Sequence, residues 1–236
     1  MKFTENYIVN CHDTDLAGNL KPTGWMRYMQ DTVNCQMEKI GPSYDELMSR
    51  HLSFILSRIK IKFYAPILSH DRIESSTWAT TKSHGYSFSR CYEVKKGGEV
   101  IAEGSSIWAL LDTDTGHFIK TSDFGIPYGE LDPLEMELPR KLRPLGEVEK
   151  VGEKTVFYGD VDQNVHMNNT VYADVLWNFV PDFKNRRMTS FDIIYLSEAP
   201  LGETIEIYRG EAENGYFFRT VRSDGKVNVE AIIEVS

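Results

Sequence analysis

One order of elements is written twice along this chain, and that repeat restricts the fold more than any single motif. In the first copy, residues 3 to 11 (FTENYIVNC) are rich in aromatic and β-branched residues and read as a strand. A polar loop follows with Asp13, Thr14, Asp15, Gly18 and Asn19. Pro22 suits the first turn of a helix. Met26, Met29, Val33, Met37 and Ile40 then recur at helical spacing until Gly41-Pro42 stops it. Residues 43 to 51 suit a short second helix. Strand-like runs cover 53 to 64, 72 to 80, 86 to 94 and 100 to 111, separated by turn signals at Ala65-Pro66, Ser83-His84-Gly85 and Gly97-Gly98. In the second copy, a strand over 148 to 159 leads into a polar loop and a helix from about 169 to 180. Runs at 189 to 196, 203 to 209, 216 to 222 and 227 to 235 complete it. At an offset of 147, Asp13 meets Asp160, Asp15 meets Asp162, Thr23 meets Thr170, Trp25 meets Tyr172 and Met29 meets Leu176. A helix followed by an antiparallel sheet, twice, is an α+β plan in which each sheet curls around its own helix.

Between the copies, residues 121 to 146 break every period with Pro127, Pro133, Pro139, Pro144 and several acids. They read as a connector over the surface with room for one helical turn. The expected organisation is a first domain at 1–120, a connector at 121–146 and a second domain at 147–236.

Bulk properties narrow the function. A formal net charge of -9 argues against nucleic acid and anionic membranes as partners, because both need clustered cations. The chain lacks a run of about 18 apolar residues, so no membrane span is expected. MKFTENYIVN has no apolar signal-type region, and Cys11, Cys35 and Cys91 show neither metal nor disulfide spacing. A reducing, cytoplasmic location is the expectation.

The chemistry concentrates in DVDQNVHMNNTVYADVLWNF, from Asp160 to Phe179. Asp160, Asp162, Asn164, His166, Asn168 and Asn169 open it. Tyr172, Val175, Leu176 and Phe179 then make one helical face, with Asn168 or Asn169 suited to the N-cap. A carboxylate, an amide and an imidazole in the loop that feeds a helix N-terminus can hold an oxyanion or activate a water. The first copy lacks this set: at the same offset His166 becomes Asn19, Asn164 becomes Ala17 and Asn168 becomes Lys21, and Tyr64 stands near the place of Glu198. Asp160-x-Asp162-x-Asn164 fails as a calcium loop, since the sixth position is Val165 and the twelfth Val171. His12, His51, His70, His84 and His117 lack zinc spacing. No metal and no cofactor are expected.

The tandem plan, the DQNVHMNN run at 162 to 169 and the YLSEAP run at 195 to 200 together resemble the acyl-acyl carrier protein thioesterases. The resemblance covers essentially the whole chain and implies a tandem (double) hotdog fold. It also implies hydrolysis of fatty acyl-acyl carrier protein, with free fatty acid as product and acyl carrier protein as partner. The family's catalytic set falls on Asp162, Asn164, His166 and Glu198. A cysteine nucleophile proposed for plant members beside that glutamate has no counterpart, since Ala199 occupies the position; a water mechanism is implied instead.

His166 is the natural base, and Glu198 either orients it or holds the water itself. The residues alone leave open which takes the proton. Asp162 suits orienting Asn164 or the loop backbone, and Asn164 can donate to the water or the oxyanion. Backbone N–H groups around Asn168 and Asn169 would add positive potential. Asp160 suits a turn-former. Trp25, Met29, Met37 and Phe54 are candidate acyl-pocket residues, in competition with plain core packing. An acidic carrier protein needs a local cationic patch: Lys184, Arg186 and Arg187, or Arg140, Lys141 and Arg143 in the connector. An acyl-coenzyme A thioesterase of the same fold and a non-catalytic acyl-thioester sensor are the competing readings. A hotdog dehydratase would need a helix-borne acid, for which Asp31 and Glu38 lack a second signal. Acyl chain length and oligomeric state, including a homodimer, stay open.

Overall fold

The Met-rich stripe folds into the longest helix, α1 (Pro22–Ile40), with Pro22 at its first turn and Gly41 at φ 88° just past its end. The structure is a computed structural model and describes residues 1–125 and 130–236. By internal contacts the chain divides into two units, Met1–Leu20 with Gly24–Leu138, and Lys21–Thr23 with Pro139–Ser236.

The first unit contains β1 (Phe3–Ile8), α1, α2 (Tyr44–Ser49), β2 (Leu52–Phe63), β3 (Arg72–Ala79), β4 (Phe88–Lys96), β5 (Glu99–Asp112) and β6 (Phe118–Ile119). Its antiparallel sheet runs β1-β3-β4-β5-β2, and the short β6 pairs with the end of β5. Met26, Met29 and Val33 bury one face of α1. The same helix meets β3 through Thr32, whose Oγ1 donates to Ser75 Oγ at 2.8 Å, and β4 through Arg90 Nη1, which donates to Gln36 Oε1 at 2.6 Å. Trp25 packs on Phe63 of β2, ring centroids 5.0 Å apart. Ser43 starts α2 with a reciprocal capping box to Glu46.

The second unit contains β7 (Glu149–Thr155), α3 (Val171–Trp177), β8 (Met188–Tyr195), β9 (Thr204–Ala212), β10 (Gly215–Val221) and β11 (Val227–Val235). Its antiparallel sheet runs β7-β9-β10-β11-β8. In each unit the described strands therefore lie in the order first, third, fourth, fifth, second. The repeat seen in the residues is a repeat of topology. Tyr172 and Leu176 of α3 are buried, the Tyr172 ring meets Tyr195 of β8 edge-on, and Ile193, Ile205, Ile207, Phe218, Val229 and Ile233 share one buried face of the sheet. Phe179 lies directly on β7: a Cβ at Gly152 would stand 2.3 Å from its ring. Only a glycine allows that approach.

Three expectations are corrected. The strand of residues 148 to 159 ends at Thr155, and Tyr158–Asp160 forms a 3-10 turn; likewise β1 stops at Ile8. The second helix covers 171–177, far short of 169–180. Thr170 precedes its first residue, and Pro181 restricts continuation, since proline lacks an N–H and disfavours helical backbone before it. The connector does more than cross the surface. Phe124 joins a cluster with Leu47, Leu52, Phe88 and Leu110, Leu142 packs with Ile194 and Phe217, and Met136 is buried. Prolines mark irregular backbone there, while the apolar residues between them pack as core. Its helical turn is the 3-10 segment Thr121–Asp123, and Pro127 lies outside the described residues. Among the described residues no helix is long and apolar enough to cross a membrane.

Candidate active site

The loop from Asp160 to Thr170 is built around Asp162. Its N–H donates to the His166 carbonyl at 3.0 Å, its own carbonyl accepts the Val165 N–H at 3.0 Å, and its Oδ1 accepts the Asn164 N–H at 2.9 Å. This is the turn an aspartate makes by bonding backbone two residues on. Val165 takes φ 63°, a left-handed conformation that is rare for a β-branched residue. The far side of the loop pairs with residues 199 to 201: Met167 N–H donates to Ala199 O at 2.8 Å and Leu201 N–H to Val165 O at 3.1 Å, with His166 opposite Pro200. That pairing carries Glu198 to the histidine. His166 Nδ1 stands 3.3 Å from Glu198 Oε2, the imidazole one-third exposed and the carboxylate 61% exposed. The pair is open to a substrate and to water.

The first unit has the same loop without the chemistry. At the offset of 147, Asp15 N–H donates to Asn19 O at 2.7 Å, Gly18 N–H to Asp15 O at 3.0 Å, and Ala17 N–H to Asp15 Oδ1 at 2.8 Å. Leu20 N–H donates to Ile67 O at 2.8 Å and Ser69 N–H to Gly18 O at 3.2 Å. That second pairing sets an offset of 132 (Ile67 to Ala199), so Pro66 occupies the place of Glu198. Tyr64, expected near it, lies two residues earlier.

Asp162 therefore holds the loop backbone, and Asn164 sits on its exposed rim. The amide groups at the helix start act differently from the expectation. Asn168 N–H donates to Asp160 O at 2.8 Å, so it is occupied within the loop. The Asn168 side chain accepts from Thr170 N–H at 2.9 Å and from Thr170 Oγ1 at 2.8 Å, while Thr170 is the residue that precedes α3. The dipole of a seven-residue helix is short. Asp160 is a turn-former: its Oδ2 accepts the Phe157 N–H at 2.8 Å and pairs with Lys154 Nζ at 2.6 Å.

Two tyrosines frame the loop. Tyr195, at the end of β8, donates its hydroxyl to Asn169 O at 2.8 Å, and its ring meets Tyr172 edge-on. Burial pushes the Tyr172 phenol far above its usual range; a hydrogen bond with Asn228 opposes the shift and the Glu198 charge adds to it. Tyr195 and Asn228 are contacts that sequence reasoning missed. An asparagine between two valines of a strand-like run (VNVEA) is a weak flag, and nothing local joins position 228 to the YLSEAP segment.

The remaining candidates are dispersed. Trp25 packs on Phe63, Met29 is 1% exposed within the core, and Met37 and Phe54 border the Leu47–Phe88–Phe124 cluster. Lys184, Arg186 and Arg187 are exposed after α3, with the Arg186 guanidinium 6.0 Å from the Tyr216 ring; Arg140, Lys141 and Arg143 are exposed in the connector. Ala199 is buried and its carbonyl serves the loop, and all three cysteines lie in the first unit. Among the described residues no cluster of three metal-binding side chains occurs.

Residues 1–123 match the model of the acyl-ACP thioesterase N-terminal domain, and residues 146–235 that of the acyl-ACP thioesterase C-terminal domain. A chloroplastic acyl-[acyl-carrier-protein] hydrolase of Cuphea viscosissima is 25% identical over 228 residues, covering 87% of this chain and 54% of that protein. A chloroplastic dodecanoyl-[acyl-carrier-protein] hydrolase of Cinnamomum camphora is 24% identical over 227 residues, covering 86% and 58%. The chain thus spans little more than half the length of these curated relatives. Among solved structures, an acyl-ACP thioesterase from Bacteroides thetaiotaomicron superposes with a TM-score of 0.90 at 18% identity, covering 100% of this chain and 98% of that one. The 12:0-ACP thioesterase from Umbellularia californica gives 0.84 at 17% identity, covering 100% and 97%. These likenesses establish the fold as the α+β tandem hotdog.

Proposed function

The chain belongs to the acyl-ACP thioesterase family, and on that premise we propose that it hydrolyses the thioester of fatty acyl-acyl carrier protein to a free fatty acid and the carrier's thiol. The observation that carries this reading is the His166–Glu198 pair at 3.3 Å, held open to solvent at the mouth of a loop whose first-unit copy has neither residue. With Nδ1 turned to the carboxylate, Nε2 is the nitrogen left to take a proton from water. Glu198 orients the ring and stabilises the imidazolium that forms, as a carboxylate does for a catalytic histidine elsewhere. The resulting hydroxide attacks the thioester carbonyl, and the Asn164 amide at the loop rim donates to the oxygen that gains charge. Collapse of that intermediate breaks the carbon–sulfur bond, and the imidazolium returns its proton to the departing thiolate. Asp162 acts through the backbone turn that fixes Asn164 and His166.

The first unit, which keeps the loop and lacks the pair, supplies the acyl-binding side, with Trp25, Met29, Met37 and Phe54 as the side chains to vary. The second unit carries the chemistry. Lys184, Arg186 and Arg187 form the cationic patch for an acidic carrier. Unpaired cysteines support a cytoplasmic setting.

The test is thiol release from a panel of acyl-acyl carrier proteins and matched acyl-coenzyme A esters, with His166→Ala alongside. The expected result is hydrolysis that favours the carrier protein and falls at least roughly 100-fold in the variant. Equal rates in variant and wild type would remove His166 from the mechanism. Faster release from the coenzyme esters would make the substrate an acyl-coenzyme A. Binding without release would make the protein a sensor.

A further inference from the structure

The Glu198 side chain is largely exposed, so its aim depends on the backbone that carries it. That backbone is gripped by one fully buried side chain on β11. The Asn228 carbonyl accepts the N–H groups of Leu196 at 2.9 Å and Ser197 at 3.1 Å, bonds that any residue at the position would make. The carboxamide adds what only an amide supplies. Its Nδ2 donates a short hydrogen bond to the Ser197 carbonyl, and its Oδ1 accepts from Thr220 Oγ1 on β10 at 2.9 Å. Thr220 is fixed in turn, since its Oγ1 accepts the Val229 N–H at 3.1 Å. Ser197 Oγ donates to Val227 O at 2.9 Å, tying down the same segment from a second point. Asn228 also hydrogen-bonds with the buried Tyr172 phenol of α3.

The Ser197 carbonyl belongs to the peptide group whose nitrogen is that of Glu198. Holding this carbonyl sets the plane of that peptide, and so the direction in which the Glu198 side chain leaves the backbone. We propose that Asn228 is a positioning residue for the thioester hydrolysis. Through the Ser197–Glu198 peptide it fixes the carboxylate at His166. This rests on the hydrolase reading of the His166–Glu198 pair. An aliphatic side chain at 228 would take this partner from the half-buried Ser197 carbonyl and from the fully buried Thr220 hydroxyl. An error of about 1 Å in a catalytic group is enough to cost on the order of 100-fold in rate.

The experiment is a double-mutant cycle on an acyl-acyl carrier protein substrate: Asn228→Ala and Glu198→Ala, singly and together, with kcat, KM and thermal midpoint read for each. Asn228→Ala is expected to lower kcat by roughly 10- to 100-fold with KM held within about twofold. On the Glu198→Ala background the same change is expected to alter kcat by less than about twofold, because the group being positioned is gone. A merely structural role would lower the melting temperature and give kcat losses that multiply; that result overturns the proposal. Should Asn228→Ala fail to fold, Thr220→Val decides. It is isosteric, removes the hydroxyl that orients the amide, and is expected to lower kcat by roughly 3- to 10-fold, again only when Glu198 is present. Wild-type protein that releases no thiol from any thioester would overturn the hydrolase reading and this proposal with it. Robust wild-type turnover with multiplicative losses would overturn the proposal alone.

Discussion

Val165 sits at φ 63° immediately before His166, where the first unit places Gly18 at φ 81°. A β-branched side chain in that region stores about 1–3 kcal/mol, and such residues persist where surrounding bonds over-determine them. Here the bonds are Val165 N–H to Asp162 O and Leu201 N–H to Val165 O, which hold Val165 through both its N–H and its carbonyl. Glycine at this position would relieve the strain and add about 0.5–1 kcal/mol of unfolded-state entropy to be lost on folding. Val165→Gly is therefore expected to raise stability by about 1 kcal/mol in chemical denaturation while lowering kcat several-fold, since a freer turn holds His166 less firmly. Unchanged stability and unchanged kcat would show that this turn carries no strain that matters. Asp162, Asn164 and His166 were readable in the sequence because they lie within one turn of each other. Glu198 is 32 residues further along, and only its likeness to a family motif pointed to it.

At the scale of elements, the site is a loop paired to the segment after a strand, and the strands behind it hold that segment in place. Glu203, just before β9, reaches across to the β10–β11 turn, where its Oε1 accepts the Ser223 N–H at 2.9 Å and Arg222 lies 3.8 Å away. The Ser223 N–H, opposed by burial and helped by Arg222, holds the Glu203 carboxyl below its usual value of 4.5. A carboxyl depressed on folding adds stability that is complete above its unfolded value and is lost as pH falls through its folded one. Unfolding free energy measured against pH is thus expected to decline below about pH 4.5, with a shallower decline in Glu203→Gln. An identical slope in the two proteins would show that this contact does not couple to protons. The short α3 shows where periodicity misleads: Phe179 continues the helical spacing, yet it packs on Gly152 from outside the helix. Side-chain spacing records which residues are buried, and the backbone between them need not stay helical.

On the scale of the whole molecule, a net charge of -9 makes any acidic partner depend on local cations. If Lys184, Arg186 and Arg187 form the carrier site, replacing all three by Glu is expected to raise KM for acyl-acyl carrier protein roughly tenfold. Turnover of acyl-coenzyme A would be unaffected, and added salt would shrink the wild-type advantage. Equal KM values in variant and wild type would move the search to Arg140, Lys141 and Arg143.

The sequence by itself determined the repeat, the strand and helix types, and the polar loop, because these follow from short-range spacing and turn chemistry that each segment carries alone. The fivefold strand pattern with one helix was legible twice, as was the loss of the histidine from the first copy. Only the tertiary structure decided which strands pair, since the order first, third, fourth, fifth, second depends on contacts between residues far apart in the chain. It alone brought Glu198 to 3.3 Å from His166, buried the connector's Phe124, Met136 and Leu142, and set Asn228 against Ser197. These are consequences of burial and long-range hydrogen bonding, and a buried partner for a carbonyl is settled by what the folded chain places beside it.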